Sequence, residues 1–320
     1  MTKTKDKRPV MVVTQADDMT ADLVIAELHF RNVPVVRFDS ADFPHDLTMS
    51  AEIGDGCGLS GQLATATREA DLSAVRSLYY RRPSGFAFSG LDGQDARFAT
   101  LQARYGLGGV LASLSDCLYV NHPHAIADAE FKPAQLSTAI ASGFDVPPTL
   151  ITNDPDKARR FVRDHRRVVY KPLRSTEYEI NGTAVTVWTQ EVSADEIDDR
   201  VAGTMHLFQR AVPKKYDLRI TVAGDAMFAV QIHSPLLDWR QDYEQIEYRV
   251  MQVPDKIADK IHLYLDHFRL VSGCFDFAID ADDRPVFLEC NPNGQWAWMQ
   301  APTGLSMATA FADLLEMGRS

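Results

Sequence analysis

Three residues toward the C-terminal end of the chain, Asp276, Glu289 and Asn291, have the types and spacing to hold a hard metal ion. Asp276 lies in the apolar run 274–279, and Glu289 in a second apolar run, 285–289. Asp280-Ala281-Asp282-Asp283-Arg284 between them reads as the turn of a hairpin. Residues two apart share one face of a strand, so Glu289 and Asn291 point the same way and Asp276 lies across from them. Three oxygen donors gathered in this way suit Mg²⁺ bridging nucleotide phosphates. The alternative is an exposed loop with ordinary acidic residues. Glu289, however, sits within Val286-Phe287-Leu288-Glu289-Cys290, where an unpaired carboxylate is penalised.

Two lysines lie upstream. Lys171 ends the apolar run 168–173 beside Pro172, and Lys132 lies near the start of a helix that stops at Gly143. An ammonium holds phosphates as a point charge, although either lysine alone is equally a solvating surface group. With the ligand cluster downstream they fit phosphoryl transfer, which needs charge neutralised from both directions. A nucleophile triad competes poorly: nine histidines include His122, His124, His206 and His233, but there is no Gly-x-Ser-x-Gly elbow. Cys57, Cys117, Cys274 and Cys290 show no C-x-x-C spacing and read as buried free thiols.

These residues must be positioned by alternating strands and helices. The run 9–14 predicts a strand, Asp17-Asp18 a cap, 20–31 a helix and 33–38 a second strand, a βαβ opening with no glycine fingerprint for a dinucleotide. Glycines 54, 56, 58 and 61 read as hairpin punctuation. A strand ends at Leu78-Tyr79-Tyr80-Arg81-Arg82-Pro83, and a helix over 92–115 closes the first unit. Asn121-His122-Pro123 is a boundary. Beyond it come one or two helices over 125–142, an extended edge at 146–151, a helix over 153–164 behind Asp154-Pro155, the strand ending at Lys171, a strand over 183–190 and a helical piece after Ser193. The last third holds strands at 205–211, 217–222 and 226–233, a helix over 255–268, the acidic hairpin and a helix over 306–317.

A chain of 320 residues exceeds the ~250–300 at which single cores stop growing, so two or three domains are expected. A net charge of −11 argues against a nucleic-acid partner gripped through phosphates. No apolar run approaches the ~20 residues of a spanning helix, and the N-terminal basic stretch meets too short an apolar run for a signal segment. The expectation is a cytosolic protein with no membrane partner.

Lys132, Tyr170-Lys171-Pro172, Phe208-Gln209-Arg210-Ala211-Val212, Asp217-Leu218-Arg219 and the Asp276…Glu289-x-Asn291 set together resemble an ATP-grasp enzyme over the whole chain. Within that superfamily Tyr80-Arg81-Arg82-Pro83, Asn121-His122-Pro123, Gln135-Leu136 and above all Asn291-Pro292-Asn293-Gly294-Gln295-Trp296 resemble the ribosomal peptide maturases of the microviridin type, the graspetide macrocyclases. The resemblance implies an α/β ATP-grasp fold behind an N-terminal pre-ATP-grasp α/β domain. It divides the chain into 1–125, a central ATP-grasp domain with a leader-docking region over 126–205, and a C-terminal ATP-grasp domain with the Mg²⁺ site over 206–320.

It further implies ATP and Mg²⁺ as cofactors and a ribosomal precursor peptide as partner, with a leader and a core rich in Thr, Ser, Asp and Glu. The γ-phosphoryl group passes to an Asp or Glu side chain, and a Thr or Ser hydroxyl, or a Lys amine, displaces the phosphate to close an ester or amide ring. Lys132 and Lys171 contact phosphates. Gln209, Arg210, Ala211 and Val212 form the hinge strand beside adenine. Arg219 meets the transferring phosphoryl group, and Asp276, Glu289 and Asn291 ligate Mg²⁺. The pieces 183–190 and 195–204 are the expected leader-docking region.

Several residues keep two readings. Arg81 and Arg82 meet an acidic core peptide or a phosphate, or form a structural ion pair. Asp238-Trp239-Arg240 contacts substrate, or is an exposed salt bridge around a half-buried indole. Trp296 and Trp298 wall a peptide channel or pack in the core. Gly182 tips a lid over ATP or an ordinary turn. Leu263, Leu265 and Phe268 form a homodimer stripe or face their own sheet. Two other functions compete: a ligase joining a free amino acid or small amine to a carboxylate, and a nucleotide-dependent binding protein without turnover.

Overall fold

The computed structural model describes residues 6–54, 58–174 and 178–319. All four residues of β1 (Val10–Val13) are buried, as expected of a parallel strand covered on both faces. α1 (Met19–Phe30) follows, its N-terminus capped by the Asp18 carboxylate, which accepts from Ala21 N. β2 (Val35–Phe38) then returns parallel to β1. A meander of β3 (Leu47–Ile53), β4 (Leu59–Thr65) and β5 (Glu69–Asp71) forms its own sheet. Gly61, expected in a turn, instead lies within β4, where a Cβ would collide with Ser50 O. β6 (Ser77–Tyr80), α2 (Gly93–Leu111) and β7 (Leu118–Val120) complete a parallel sheet of order β2-β1-β6-β7.

The middle of the chain begins with α3 (Pro123–Ala129) and α4 (Lys132–Ala141), and Gly143 at φ 87° ends the pair. Next come β8 (Thr149–Thr152), α5 (Pro155–Asp164) capped by Asp154, and β9 (Val168–Lys171). The single strand expected over 183–190 is two short ones. β10 (Tyr178–Ile180) pairs with β11 (Thr183–Val185) around Asn181-Gly182, while β12 (Gln190–Val192) joins β9. Positive φ at Asn181 and Gly182 supplies the tight turn between β10 and β11. The helical piece after Ser193 is two 3₁₀ turns, Ala194–Glu196 and Asp199–Gly203. β13 (His206–Arg210) closes an antiparallel sheet of order β12-β9-β13-β8, so the change of sheet comes after Arg210.

The last sheet is antiparallel, built from β14 (Lys214–Ala223), β15 (Ala226–His233), β16 (Glu247–Met251), β17 (Ser272–Asp280) and β18 (Pro285–Asn291) in the order β16-β15-β14-β17-β18. β16, too polar to stand out in the sequence, is one of its two edge strands. α6 (Asp255–Phe268) packs on one face together with α3 and α4, sharing a core of Leu136, Leu218, Ile220, Phe275 and Phe287. α7 (Ala297–Thr303) and α8 (Met307–Met317) join the other face to α1 and β1 through Trp296, Phe311, Leu315, Val10 and Val24.

This packing overturns two of the readings. Leu265 and Phe268 are buried, whereas Leu263 is 58% exposed, so the three share no surface stripe. Trp296 is fully buried and stacks on Phe311 at 5.2 Å, which makes it core and no channel wall. Cys117, Cys274 and Cys290 are buried free thiols, while Cys57 lies outside the described residues. Trp296→Ala is expected to cost about 3–5 kcal/mol of stability in a urea titration, the range for emptying a large aromatic site in a core.

Candidate active site

The acidic hairpin forms as its pattern predicts and brings its three polar residues together. Asp276 on β17 pairs directly with Glu289 on β18, and Cys274 with Asn291. The register shifts between Asp276 and Phe277, leaving Leu288 as an extra residue on β18; such a bulge re-aims side chains. Asn291 Nδ2 lies 3.4 Å from Asp276 Oδ2 and 3.5 Å from Glu289 Oε1.

Cations bracket this pair. Lys132 Nζ donates to Glu289 Oε2 at 2.6 Å, and Arg240 Nη1 to Glu289 Oε1 at 2.8 Å. Arg219, directly across from Asp276 on β14, donates through Nη1 to both of its carboxylate oxygens at 2.8 Å. Lys132 reaches its place because α4 is fastened to β18 by one amide. Gln135 donates to Cys290 O at 2.9 Å and accepts from Cys290 N at 3.0 Å. On the facing sheet Lys171 Nζ donates to Gln209 Oε1 at 2.8 Å, and Gln209 Nε2 donates to Thr149 Oγ1 at 2.9 Å.

The electrostatics follow from this crowding. Burial pushes the Glu289 carboxyl up, but Lys132 and Arg240 outweigh it and hold the group well below the usual carboxylate range. Asp276, with Arg219 as its close cation, is raised by burial. Burial also lowers the Lys171 ammonium to about 8, with Lys132 and Arg240 adding to the effect against the attraction of Glu289. Four cations therefore surround Asp276, Glu289 and Asp238, an arrangement suited to receiving a polyanion.

Among the described residues no group of three His, Cys, Asp or Glu side chains is placed to hold a metal. Asp276, Glu289 and Asn291 instead bring together two carboxylates and an amide, hard donors of the kind that fit Mg²⁺. Turning the Asn291 amide about its last bond brings Oδ1 to where Nδ2 now lies.

The other predicted residues divide. Asp238 and Trp239 are only 5% and 6% exposed, and Arg240 Nε donates to Asp238 at 2.8 Å, so this segment is no exposed salt bridge: it anchors Arg240 over Glu289. Trp298 lies 4.9 Å from Trp239 and 5.2 Å from Tyr243, and the Arg219 guanidinium approaches both indoles at 5.8–5.9 Å. Tyr248 adds to this group at 5.8 Å from Trp298, and the sequence shows the group only in part, since Tyr243 and Tyr248 carry no spacing signal. Arg81 is buried in an ion pair with Asp18, the structural one of its two readings; Arg82 is exposed. In the segment 209–212 Gln209 points inward and Arg210 outward, and Ala211 N donates to Arg167 O at 2.9 Å.

Comparison with known proteins places these features in context. The family description "MvdD pre-ATP grasp domain" matches residues 9–127. No curated protein sequence matches the chain. Among solved structures, a RiPP-associated ATP-grasp ligase of Chryseobacterium gregarium, in complex with ADP and a leader and core peptide, superposes with TM-score 0.88 at 26% identity, covering 98% of this chain and 99% of that one. Macrocyclase MdnC of Microcystis aeruginosa, bound with precursor peptide MdnA, superposes with TM-score 0.85 at 25% identity over 96% of this chain and 99% of that one. Macrocyclase MdnB of the same organism follows with TM-score 0.82 at 25% identity over 97% and 100%.

The position of Lys171 yields a pH test with ADP as probe. Its ammonium loses its proton above about 8 in the free protein, and an incoming phosphate favours the charged form. Calorimetric titration at pH 9 in buffers of different ionisation enthalpy is expected to show proton uptake on ADP binding. The uptake should vanish at pH 7 and in Lys171→Met; equal uptake in that variant would refute the assignment.

Proposed function

We infer that this chain, an ATP-grasp protein with a pre-ATP-grasp domain at its N-terminus and a structural homologue of RiPP-associated macrocyclases, is an ATP-dependent ligase that closes side-chain macrocycles in a ribosomal precursor peptide. The observation that carries the reading is the carboxylate pair Asp276 and Glu289, bracketed by Lys132, Arg219 and Arg240 and faced by Lys171 from the neighbouring sheet. The peptides bound to two of the similar proteins favour this over joining a free amino acid or amine, for which the nucleotide residues would be the same.

The chemistry answers a simple difficulty: a carboxylate is a poor electrophile. An oxygen of the peptide's Asp or Glu carboxylate forms a bond to the γ-phosphorus of ATP while the bond from that phosphorus to the bridging oxygen breaks, releasing ADP. The acyl phosphate is then attacked at carbon by a Thr or Ser hydroxyl, or a Lys amine, which loses its proton as phosphate departs. Asp276, Glu289 and Asn291 would hold Mg²⁺, which would supply positive charge against the phosphate oxygens.

The remaining work falls to the protein's own side chains. Lys132 and Arg240 now satisfy Glu289, and in this reading they turn to the phosphates as the nucleotide and its metal arrive, so neither charge is left unpaired at any stage. Lys171 meets the phosphates from the opposite side, and Arg219 offsets charge gathering on the transferred group. The segment Gln209, Arg210, Ala211 and Val212 lies along the adenine. Trp239, Trp298 and the β10–β11 hairpin keep water from the acyl phosphate, which hydrolyses unguarded.

The domain limits 1–125, 126–205 and 206–320 belong to the same proposal, as do leader docking at the pieces 183–190 and 195–204, a cytosolic location and a homodimer. No described helix is long and apolar enough to cross a membrane. Sedimentation over a range of concentrations tests the dimer, and a single species at 35.7 kDa throughout would refute it.

Incubation with ATP, Mg²⁺ and the short peptide encoded beside the enzyme's gene is expected to give products lighter by one water per ring, with ADP and phosphate released. Unchanged peptide mass while ATP and peptide both bind would overturn the function. Glu289→Gln is expected to lower turnover by more than about tenfold, because it removes an anionic ligand with almost no change of volume. Near-normal turnover by this variant at low millimolar Mg²⁺ would refute the metal assignment.

A further inference from the structure

The N-terminal sheet lies behind the site, yet one chain of contacts runs from it to Arg219. The corner 291–296 follows β18. Within it Asn293 Nδ2 donates to Arg81 O at 2.7 Å, and Arg81 Nη1 donates to Gly294 O at 3.2 Å. Arg81 Nη2 donates to Gln295 Oε1 at 2.9 Å, and Thr20 Oγ1 donates to the same oxygen. Arg81 is itself immobilised, because Nε and Nη2 donate to Asp18 at 3.0 and 3.3 Å and Asp18 also caps α1.

The far side of the corner holds the arginine. Gln295 O accepts from Arg219 Nη2 at 3.0 Å and from Trp298 Nε1 at 3.0 Å. A Cβ on Gly294 would lie 2.5 Å from Cys274 and 3.2 Å from Arg219 Nη2, so the chain approaches as closely as glycine allows.

Arg219 needs this second anchor. Both of its bonds to Asp276 pass through Nη1, unlike a forked pair in which two nitrogens fix the plane. A guanidinium held at one nitrogen swings about it. Nε is buried without a hydrogen-bond partner among the described residues, so beside the Trp239 and Trp298 rings the Gln295 carbonyl is the second polar anchor that fixes the plane. We propose that Gln295 and Arg81 are positioning residues for phosphoryl transfer: the Asp18–Arg81 pair fixes the Gln295 side chain, and the Gln295 carbonyl orients Arg219 toward the transferring group. The proposal rests on the ligase reading for the role of Arg219.

The experiment compares Gln295→Met, which keeps the volume and removes the acceptor, with Gln295→Glu, which keeps an acceptor for Arg81 and Thr20. Turnover is read as ADP release with the peptide encoded beside the gene, and the orientation of Arg219 as its Nε–H resonance in protein carrying ¹⁵N-arginine, assigned by its loss in Arg219→Lys. Gln295→Met is expected to lower kcat about 10–100-fold, the cost of misplacing a catalytic group by about an ångström, and to shift or broaden the resonance. Its KM for ATP should stay within about twofold, since the loss falls on the transition state, and Gln295→Glu should recover to within about threefold of the parent kcat.

Wild-type kcat and an unmoved resonance in Gln295→Met would overturn the proposal. So would a rise in KM matching the fall in kcat, or a Gln295→Glu variant as slow as Gln295→Met, both of which mark a merely structural corner. If the parent enzyme forms no ring, the ligase reading fails, and the resonance still decides whether Gln295 orients Arg219.

Discussion

Two carboxylates on adjacent strands, withdrawn from water, impose the constraint on which the rest depends. Asp276 and Glu289 face each other across β17 and β18, and neither can stay ionised there without cations at hydrogen-bond range. The chain supplies them from three separate places: Lys132 from α4, Arg219 from β14, and Arg240 from the turn after β15. In the free protein each is held in place, because a partner that drifts without replacement leaves a buried charge unpaired. Gln135, which ties α4 to β18, holds Lys132 in place, Asp238 holds Arg240, and the Gln295 carbonyl holds Arg219.

The same arrangement explains why the site suits a nucleotide. With Lys171 included, four cations surround three acids. The excess is tolerable because Lys171 sits where burial already lowers its affinity for a proton and where Gln209 accepts from its ammonium. In the proposed function a triphosphate with its metal would offset this excess, and binding energy would go into orienting the charges used in the reaction. In the proposed function the side chains that satisfy Glu289 in the free protein are the ones that would receive the phosphates.

The N-terminal sheet is welded to this site. Trp296 and Phe311 fill the space between β1, α1 and the C-terminal sheet, and the residues between Asn291 and Trp296 pass directly over Arg219. A motif that resembles a family signature in sequence is, in three dimensions, a corner whose amides and carbonyls bind the Asp18–Arg81 pair on one side and Arg219 on the other. Its glycine is there because Cys274 leaves no room for a Cβ.

By itself the sequence determined what depends on short-range pattern: the hairpin that aligns Asp276 with Glu289 and Asn291, the caps at Asp18 and Asp154, the helix stop at Gly143, and Lys132 and Lys171 at the ends of their elements. These follow from strand alternation, capping and turn chemistry, which act within a few residues. Strand β16, the break of 183–190 into two strands and the inward turn of Leu265 and Phe268 did not follow, because polar edge strands and helix faces are decided by what packs against them. The partners of the charges were hidden for the same reason. Lys132 meets Glu289 from 157 residues away and Arg81 meets Asp18 from 63, and only the fold decides which carboxylate a given cation neutralises, since Coulomb attraction and desolvation depend on distance in space.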